Sequence, residues 1–375
     1  MMAAGITSPA ASGENGPEED KRVERRRLVA GTRAFQSGSP LRSACQLAST
    51  VGMFLALNAL MYGLAERGEA WLVLALAAPA ACLLVRLFII QHDCGHGSFF
   101  RSRRLNDWLG RFCSVFTVTP YAFWRRQHGS HHGCFNNLDR REPGIDLYST
   151  CTTVAEFEAL SPRRRTLFRL LHHPLVAQVL VPPFVFLVLY RFPFDAPSSW
   201  RRERSSVQAT NIVLLVVLAT LIFAFGIRRV MLVQLPIIAL TSIIGAWLFT
   251  VQHRFEAAQW HRQDRWNPVQ AALEGSSYLK LPRLLQWCTG SIGFHHVHHL
   301  APRVPNYRLQ ACHQAQPGLA AVTTLSLREA LSAPGYLLWD EAKLCMTRVP
   351  PRRRSKTLRP SWIILDAVEL PTRSS

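Results

Sequence analysis

The sequence predicts an all-α integral membrane protein. In this fold class four transmembrane helices form two hairpins, and a cytoplasmic helical cap holds a histidine-rich site for two metal ions. Long apolar blocks cover residues 47–64, 71–90, 207–226 and 230–251 of the 375-residue chain. Each block approaches the roughly 20 residues that cross a hydrocarbon core of about 30 Å. Three clusters of histidines lie outside these blocks, and imidazole is a common ligand of transition metals.

The distribution of charge favours membrane spans over buried helices of a soluble core. Arg86 is the one charged residue within the four blocks, and its long side chain can reach the interface from a span end. The formal net charge is +19, and the basic residues flank the apolar blocks. This placement agrees with the positive-inside rule and with anionic headgroups. We therefore expect the lipid bilayer to be the partner of this charge, and no nucleic acid.

Both ends of the chain are polar and basic. Residues 1–40 contain the run KRVERRR, show no cleavable signal peptide and are expected to form a disordered tail in the cytoplasm. Residues 346–375 are expected to form a second basic tail. The domain between them, residues 41–345, contains the spans and the histidine clusters. Nine cysteines occur without a CxxC pair, so no disulfide is predicted.

A fifth apolar block, residues 175–190, decides the topology. A crossing here would place the second and third histidine clusters on opposite faces of the membrane, where they could not share a site. Pro182 and Pro183 lie at its middle, and proline removes backbone donors and breaks a helix. We therefore expect an interfacial or re-entrant segment. Four spans then bring all three clusters to the cytoplasmic face of a membrane, such as a bacterial inner membrane.

The clustered histidines share spacings of three and four residues. They belong to the strings HDCGH, HGSHH and HHVHH and are His92, His96, His128, His131, His132, His295, His298 and His299. On a helix these spacings place side chains on one face, so each cluster can direct its rings to one point. Because one four-coordinate metal uses four such ligands, eight imidazoles indicate two metal ions.

Local signals place the second and third clusters on helices. Thr119 is a suitable N-cap and Pro120 a suitable first residue for a helix that runs to about His132. Ser291 is a candidate N-cap for the third cluster, whose helix is expected to end at Ala301.

Other histidines are sorted by their position relative to the clusters. His253 follows the fourth span directly, at the same depth as His92, and is a candidate ninth ligand. His296 points about 100° away from His295 on a helix and is expected to have a supporting role. The remaining histidines lack the cluster arrangement and are expected to be ordinary surface or interfacial residues: His172, His173, His261 and His313.

Carboxylates near the clusters could hold the second nitrogen of a ligating histidine. The candidates are Asp93, Asp139, Asp146, Glu256 and Asp264. For each one taken singly, charge balance on an arginine-rich face is the simpler explanation.

The clusters and the strings around them resemble the three histidine boxes of membrane fatty acid desaturases. The matching strings are QHDCGHGSFF, WRRQHGSHH followed by NNLDRREPGID, VQHRFEAAQW, SSYLKLPRLLQW and GFHHVHHLAPRVPNYRL. The resemblance runs from about Phe88 to Tyr307. The strings look most like those of bacterial acyl-lipid desaturases of the Δ12 or omega-6 type.

This resemblance implies a non-haem di-iron centre of two Fe ions that reduces O2, the co-substrate, and removes two hydrogens from a lipid-linked acyl chain. It implies that the eight clustered histidines are catalytic iron ligands and that His253 supplies a further ligand. The last box begins with His295 and the sequence contains no HPGG motif of a fused cytochrome b5, which argues against a front-end desaturase. Electrons are then expected from a separate ferredoxin or cytochrome b5-like protein.

Three other activities use related features. Di-iron membrane hydroxylases and ketolases with similar boxes act on alkyl, sphingolipid or carotenoid substrates, and spacing does not separate them from desaturases. A haem-binding electron carrier would need paired histidines within the spans, whereas these lie beyond the span ends. A metal transporter would need ionisable residues inside the spans, which hold almost none.

Overall fold

The computed structural model describes residues 17–141, 150–194 and 196–351, which are mostly helical. The α-helices of these residues are, in chain order, α1 (Pro17–Thr32), α2 (Pro40–Glu66), α3 (Ala70–His96), α4 (Arg103–Phe116), α5 (Tyr121–Cys134), α6 (Val154–Ala159), α7 (Pro162–Leu171), α8 (Val181–Leu187), α9 (Arg201–Phe225), α10 (Ile227–His253), α11 (Pro268–Glu274), α12 (Arg283–Cys288), α13 (His295–Leu300), α14 (Asn306–Gln314) and α15 (Leu327–Ser332). Four of them, α2, α3, α9 and α10, are long and apolar enough to cross a membrane. The predicted fold class is therefore confirmed.

The four long helices form two hairpins around a shared apolar core. Helix α3 packs against both α2 and α10, and the core between them contains Met61, Leu84, Leu87 and Ile237, all buried. By contrast, α9 exposes much of its apolar surface, and the side chain of Phe223 is 95% exposed. A helix with so much exposed apolar surface is suited to contact with lipid.

One end of this bundle, which we call the histidine end, gathers the start of α2, the end of α3, the start of α9 and the end of α10. Near the start of α2, the Ser43 hydroxyl donates a hydrogen bond to the Phe99 carbonyl just beyond α3 (2.6 Å). Near the start of α9, the Ser206 hydroxyl accepts one from the Ala122 amide of α5 (3.1 Å). The even number of long helices between the clusters thus returns the chain to the same end each time.

The fifth apolar block is helical but bent. A π-helical turn, Leu175–Leu180, leads into α8, and together with α7 this stretch is bent by 48°. Pro182 and Pro183 lie in the first turn of α8, where a missing backbone donor costs no helical hydrogen bond. The expectation that they interrupt the helix is therefore wrong, because the wider turn before them accommodates the prolines. The interfacial position of the block in a membrane stays a prediction.

Two small sheets, which no sequence pattern predicted, brace the cap. The strands are β1 (Thr152–Thr153), β2 (Tyr278–Leu279), β3 (Thr324–Leu325), β4 (Tyr336–Asp340) and β5 (Cys345–Arg348). Strand β4 pairs parallel to β1 and antiparallel to β5, and β2 pairs parallel to β3. Such short strands leave little periodic signal in a sequence.

The structure corrects the predicted tails. Helix α1 lies within the supposed disordered region 1–40, and its Arg25 guanidinium donates to the Gln270 side chain of α11 (3.3 Å). The run of charged residues has high helix propensity, and Leu28 packs against the cap core, which together order the segment. Strand β5 similarly extends past residue 345. Residues 1–16 and 352–375 lie outside the described residues.

Two predicted helix caps are also wrong. The Thr119 hydroxyl donates to the Thr117 carbonyl (2.9 Å), and α5 begins after Pro120 without a side-chain cap. Ser291 takes a left-handed conformation (φ 59°) in the turn before α13. Tertiary packing overrides the local capping preference at both sites.

Helix α4 approaches α5 closely at a glycine. A Cβ atom at Gly110 would overlap the buried Tyr121 ring at the start of α5. The absence of a side chain therefore sets how close α4 lies to the helix that carries the second histidine cluster.

We predict that Gly110→Ala lowers the thermal unfolding midpoint of the detergent-solubilised protein, since overpacking typically costs about 1–3 kcal/mol. Gly52 of α2 is the matched control, because a Cβ atom there meets nothing within 4 Å. Gly52→Ala should leave the midpoint unchanged or raise it, as alanine favours helices. Equal midpoints for both variants would contradict the proposed close approach.

Candidate metal centre

The first histidine cluster lies on the last turns of α3. This helix continues beyond the predicted span to His96 and ends where Gly97 adopts a left-handed conformation (φ 68°). Glycine takes this conformation at little cost and commonly ends helices. The amide of Ser98 then donates to the Asp93 carbonyl (3.0 Å), which closes the last turn. His92 and His96 thus lie one turn apart on one face.

The other clusters lie on α5 and α13. His128, His131 and His132 occupy the second half of α5, and the short helix α13 begins at His295. Its histidines are buried, although the helix itself is only six residues long. A helix of this length is stabilised by its surroundings, because isolated short helices are marginal in water.

Five histidines form what we call the first histidine group. Their ligand nitrogens lie within 4.8 Å of one another, and the members are His92, His96, His128, His132 and His298. The Nε2 atom of His128 is 2.9 Å from that of His96 and 3.1 Å from that of His132. His298 Nε2 is 3.1 Å from His92 Nε2 and 3.0 Å from His132 Nε2. All three sequence clusters contribute to this group.

A second histidine group adjoins the first. Three members, His131, His253 and His299, have ligand nitrogens within 4.8 Å of one another. His295 joins them, since its Nε2 atom lies 2.9 Å from His253 Nε2 and 3.0 Å from His299 Nε2. The stacked rings of His132 and His299, with centroids 4.3 Å apart, connect the two groups. The nine histidines singled out from the sequence are therefore all brought together.

The spacing of the nitrogens fits metal ligation. Two imidazole nitrogens bound to one metal at about 2.0–2.1 Å lie roughly 3 to 3.4 Å apart at octahedral or tetrahedral angles. The Nε2 to Nε2 distances between adjacent rings in contact run from 2.9 to 3.4 Å. A neutral imidazole has only one N–H. The converging nitrogens therefore cannot all form hydrogen bonds with one another. The donor set therefore fits two cations.

Burial keeps these histidines in the form that binds metals. Burial, and secondarily the neighbouring histidines, hold the pKa well below its usual range at His128, His132, His295, His298 and His299. Metals bind the neutral imidazole, so deprotonation needs no further help at neutral pH.

Some of the opposite ring nitrogens are held in place. His253 Nδ1 lies 3.2 Å from the Gly275 carbonyl, and His92 Nδ1 lies 3.4 Å from Asp93 Oδ1. The other Asp93 oxygen accepts hydrogen bonds from the Asn306 amide (2.7 Å) and side chain (2.8 Å), and Asn306 in turn accepts one from Gln46 (2.9 Å). These contacts orient two rings, as is usual for ligating histidines.

The expectation that each of the five carboxylates only balances charge is therefore wrong for Asp93, which contacts a clustered histidine. Asp139 accepts from the Gln263 amide and pairs with Arg262, Glu256 accepts from the Tyr336 hydroxyl, and Asp264 is exposed. Asp146 lies outside the described residues.

The other histidines lie apart from the two groups. His296 Nε2 is 3.0 Å from His313 Nδ1, and burial with His313 lowers the pKa of His296 to about 3. His261 lies 3.5 Å from Glu274, and His172 stacks on Phe168.

Aromatic side chains that were not predicted from the sequence enclose the histidine groups. Trp124 stacks on His128 with centroids 4.9 Å apart, and Phe249 lies 4.8 Å from His131. Phe135 lies 4.1 Å from His299. The spacing of four residues between Trp124 and His128 could have revealed the first contact. The Asp93–Asn306 contact joins residues far apart in sequence and left no such signal.

An apolar cavity of about 190 Å³ reaches both histidine groups from among the helices α3, α5, α8 and α10. His92 and His131 line it at the histidine end. Its walls include Phe88, Leu248 and Phe249. The apolar lining of this cavity suits a hydrocarbon chain.

Comparison with known proteins identifies relatives of this arrangement. The fatty acid desaturase family matches residues 69–324. A fatty acid desaturase of Bacillus subtilis (strain 168) is 41% identical over 318 residues, which are 85% of this chain and 89% of that protein.

Plant relatives are more distant. A chloroplastic omega-6 fatty acid desaturase of Arabidopsis thaliana is 26% identical over 263 residues, 65% of this chain and 53% of that protein. An omega-3 fatty acid desaturase of the endoplasmic reticulum of Nicotiana tabacum is 25% identical over 295 residues, 75% of this chain and 73% of that protein.

The family match covers most of the chain and includes both histidine groups. The helical membrane fold and the metal-binding geometry agree with it. The protein is therefore a member of the fatty acid desaturase family and an oxidoreductase.

Proposed function

We propose that this protein is a di-iron acyl-lipid desaturase of the Δ12 or omega-6 type, which introduces a double bond into an acyl chain with O2 and external electrons. The observation that carries the proposal is the convergence of nine histidines at the inner end of an apolar cavity. The cavity supplies a place for a hydrocarbon chain, and the histidines supply a place for metal beside it.

Iron is the metal that we propose, as the resemblance to desaturases implies. Removal of hydrogen from an unactivated alkyl chain needs a redox-active ion, which excludes zinc, and imidazole nitrogens bind iron well. In this proposal the first histidine group holds one iron and the second histidine group holds the other. When bound, the two irons supply the oxidising chemistry with O2. His92 and His253 are positioned through their second nitrogens by Asp93 and the Gly275 carbonyl.

The protein's own side chains position the substrate. The apolar walls of the cavity bind the chain and exclude water from the histidines. Phe88, on α3, stands next to Trp124, with ring centroids 5.3 Å apart, so the chain would pass over the ring that stacks on His128. The methylene groups nearest the histidines are then the ones oxidised.

The type of desaturation rests on resemblance. The last box begins with His295, and the Arabidopsis relative is named an omega-6 desaturase, while the Nicotiana relative is named an omega-3 desaturase. We choose the Δ12 or omega-6 type because the boxes and the intervening strings look most like those of such bacterial enzymes.

We place the histidine end on the cytoplasmic side of a bacterial inner membrane, with a separate ferredoxin or cytochrome b5-like protein as electron donor. The histidine end carries amphipathic helices that expose apolar and basic residues together, as interfacial helices do. On α4 these are Arg103, Arg104, Leu105, Trp108 and Phe112.

Expression in a host that makes only monounsaturated fatty acids tests the activity. We expect a new diene in the fatty acid methyl esters, with its second double bond on the methyl side of the first. A hydroxylated or keto product would show the alternative di-iron activity instead. Folded, iron-loaded protein that yields no new double bond would contradict the proposal.

Filling the cavity tests where the chain binds. Gly245 of α10 lines the cavity, and a Cβ atom there meets nothing within 4 Å, so a larger side chain enters free space. We predict that Gly245→Leu lowers conversion of C18 chains about tenfold, in keeping with the modest discrimination of apolar pockets. Gly52→Leu, in open space on α2, is the matched control and should retain conversion.

Both variants should keep the iron content and unfolding midpoint of the unaltered protein. Undiminished C18 conversion by Gly245→Leu would argue that the substrate lies elsewhere.

A further inference from the structure

We propose that a basic groove between α1 and the start of α11 is the docking surface for an acidic one-electron carrier protein, and that Trp266 and Phe135 connect it to the histidine groups. The basic groove is defined by Arg22, Arg25, Arg26 and Arg33. This inference rests on the proposed function, because a desaturase consumes electrons from outside.

The electron balance of the reaction requires such a partner. Formation of a carbon–carbon double bond releases two hydrogens from the chain, that is, two electrons and two protons. Reduction of O2 to two waters takes four electrons and four protons. The remaining two protons come from water, and the remaining two electrons come one at a time from a carrier whose redox group is oxidised by one electron at each encounter. Each electron must therefore enter at a surface that faces the histidines.

The basic groove has the size and charge of a docking surface. It encloses about 820 Å³ and is completed by Asn267 and Val269 at the start of α11. Arg22 pairs with Glu19 on the surface, and Arg25 is fixed to Gln270 of α11. Three of the four arginines are exposed, so an acidic partner can reach them. Complementary charge of this kind steers a partner and raises its association rate.

A short aromatic path leads inward from this surface. Trp266 precedes Asn267, and its indole N–H donates to the Phe135 carbonyl (2.9 Å). The Trp266 and Phe135 rings lie 6.5 Å apart, and the Phe135 ring lies 4.1 Å from His299 and 6.5 Å from His132. Phe135 therefore contacts both histidine groups on its inner side and the half-buried Trp266 on its outer side.

The surroundings of the groove distinguish it from a lipid-binding surface. On α7, arginines stand beside the exposed side chains of Leu167 and Leu170, which suits a membrane interface. Among the described residues of α1, by contrast, the large apolar side chains are at least partly covered, and Leu28 packs into the cap core. Helix α1 packs on α11, and α11 packs on α13, so the groove lies over the third histidine cluster.

Binding of an oxidised plant-type [2Fe–2S] ferredoxin to the full chain in neutral phosphatidylcholine nanodiscs tests the docking. We expect Arg22→Glu with Arg26→Glu to weaken binding about tenfold at low salt and to flatten its salt dependence. The control Arg163→Glu with Arg164→Glu, on α7, should bind within about twofold of the unaltered protein.

Equal loss in both double variants, or no ferredoxin binding by the unaltered protein, overturns the docking proposal. The docking proposal is also overturned if Arg22→Glu with Arg26→Glu leaves the ferredoxin affinity unchanged but weakens binding to phosphatidylglycerol vesicles. The groove would then be a lipid-binding surface.

The aromatic path has its own test. With iron-loaded protein, Trp266→Leu should bind ferredoxin normally but slow the stopped-flow oxidation of reduced ferredoxin about tenfold. Trp287→Leu, at an exposed tryptophan on α12, should leave that rate unchanged. An unchanged rate in Trp266→Leu overturns the path.

Product formation driven by dithionite separates the two proposals. The docking proposal is supported if Arg22→Glu with Arg26→Glu binds ferredoxin more weakly but forms as much dithionite-driven product as the unaltered protein. Absence of product with every donor counts against the proposed function, while the binding measurement still decides the docking surface.

Discussion

The structure depends on one constraint: nine imidazole rings, six of them buried and three half-buried, must converge on two points. Burial of a polar group costs free energy unless a partner satisfies it, and burial holds the pKa of His295, His298 and His299 on α13 well below its usual range. Imidazole nitrogens that lie about 3 Å apart with their lone pairs directed at one another form poor hydrogen bonds. A metal cation between them would accept these lone pairs as ligands. The fold therefore brings helix ends together around two histidine groups that could bind metal.

The helix bundle meets this constraint by parity. Because α2 and α3, and then α9 and α10, form two hairpins, the chain returns to the histidine end before each cluster. The contacts that fix the ends there are polar and buried: Asn306 connects Gln46 of α2 with Asp93 of α3. The aromatic rings of Trp124 and Phe135 fill the space around the imidazoles, and Gly110 lets α4 support α5 closely.

The sequence predicted what depends on local pattern. Apolar length located the four long helices, and the spacing of histidines located eight of the nine residues that the structure gathers, with His253 found from its position after a span. The pairing of Asp93 with Asn306, the short strands β2 and β3, and the packing of α1 on α11 depend on residues distant in sequence. Capping signals at Thr119 and Ser291 misled because tertiary packing outweighs a preference of about 1 kcal/mol.

In the proposed function, the apolar cavity relates the two histidine groups to a substrate. Its walls come from α3, α5, α8 and α10, the same elements that carry or support the histidines, so a chain bound there lies against both groups. The bent, proline-containing segment before α9 contributes Val185 and Phe186 to this wall. In the proposed function, this contribution gives the fifth apolar block a role in substrate binding that does not require it to cross the membrane.

The most direct test of the central claim is the iron content and iron-edge X-ray absorption of the purified full chain, alongside two histidine variants. We predict two irons per chain with imidazole ligands. His131→Ala should lose iron from the second histidine group and should lose activity. His172→Ala, whose ring stacks on Phe168, should keep both. Iron without imidazole ligands, or equal iron content and activity in the two variants, would contradict the account.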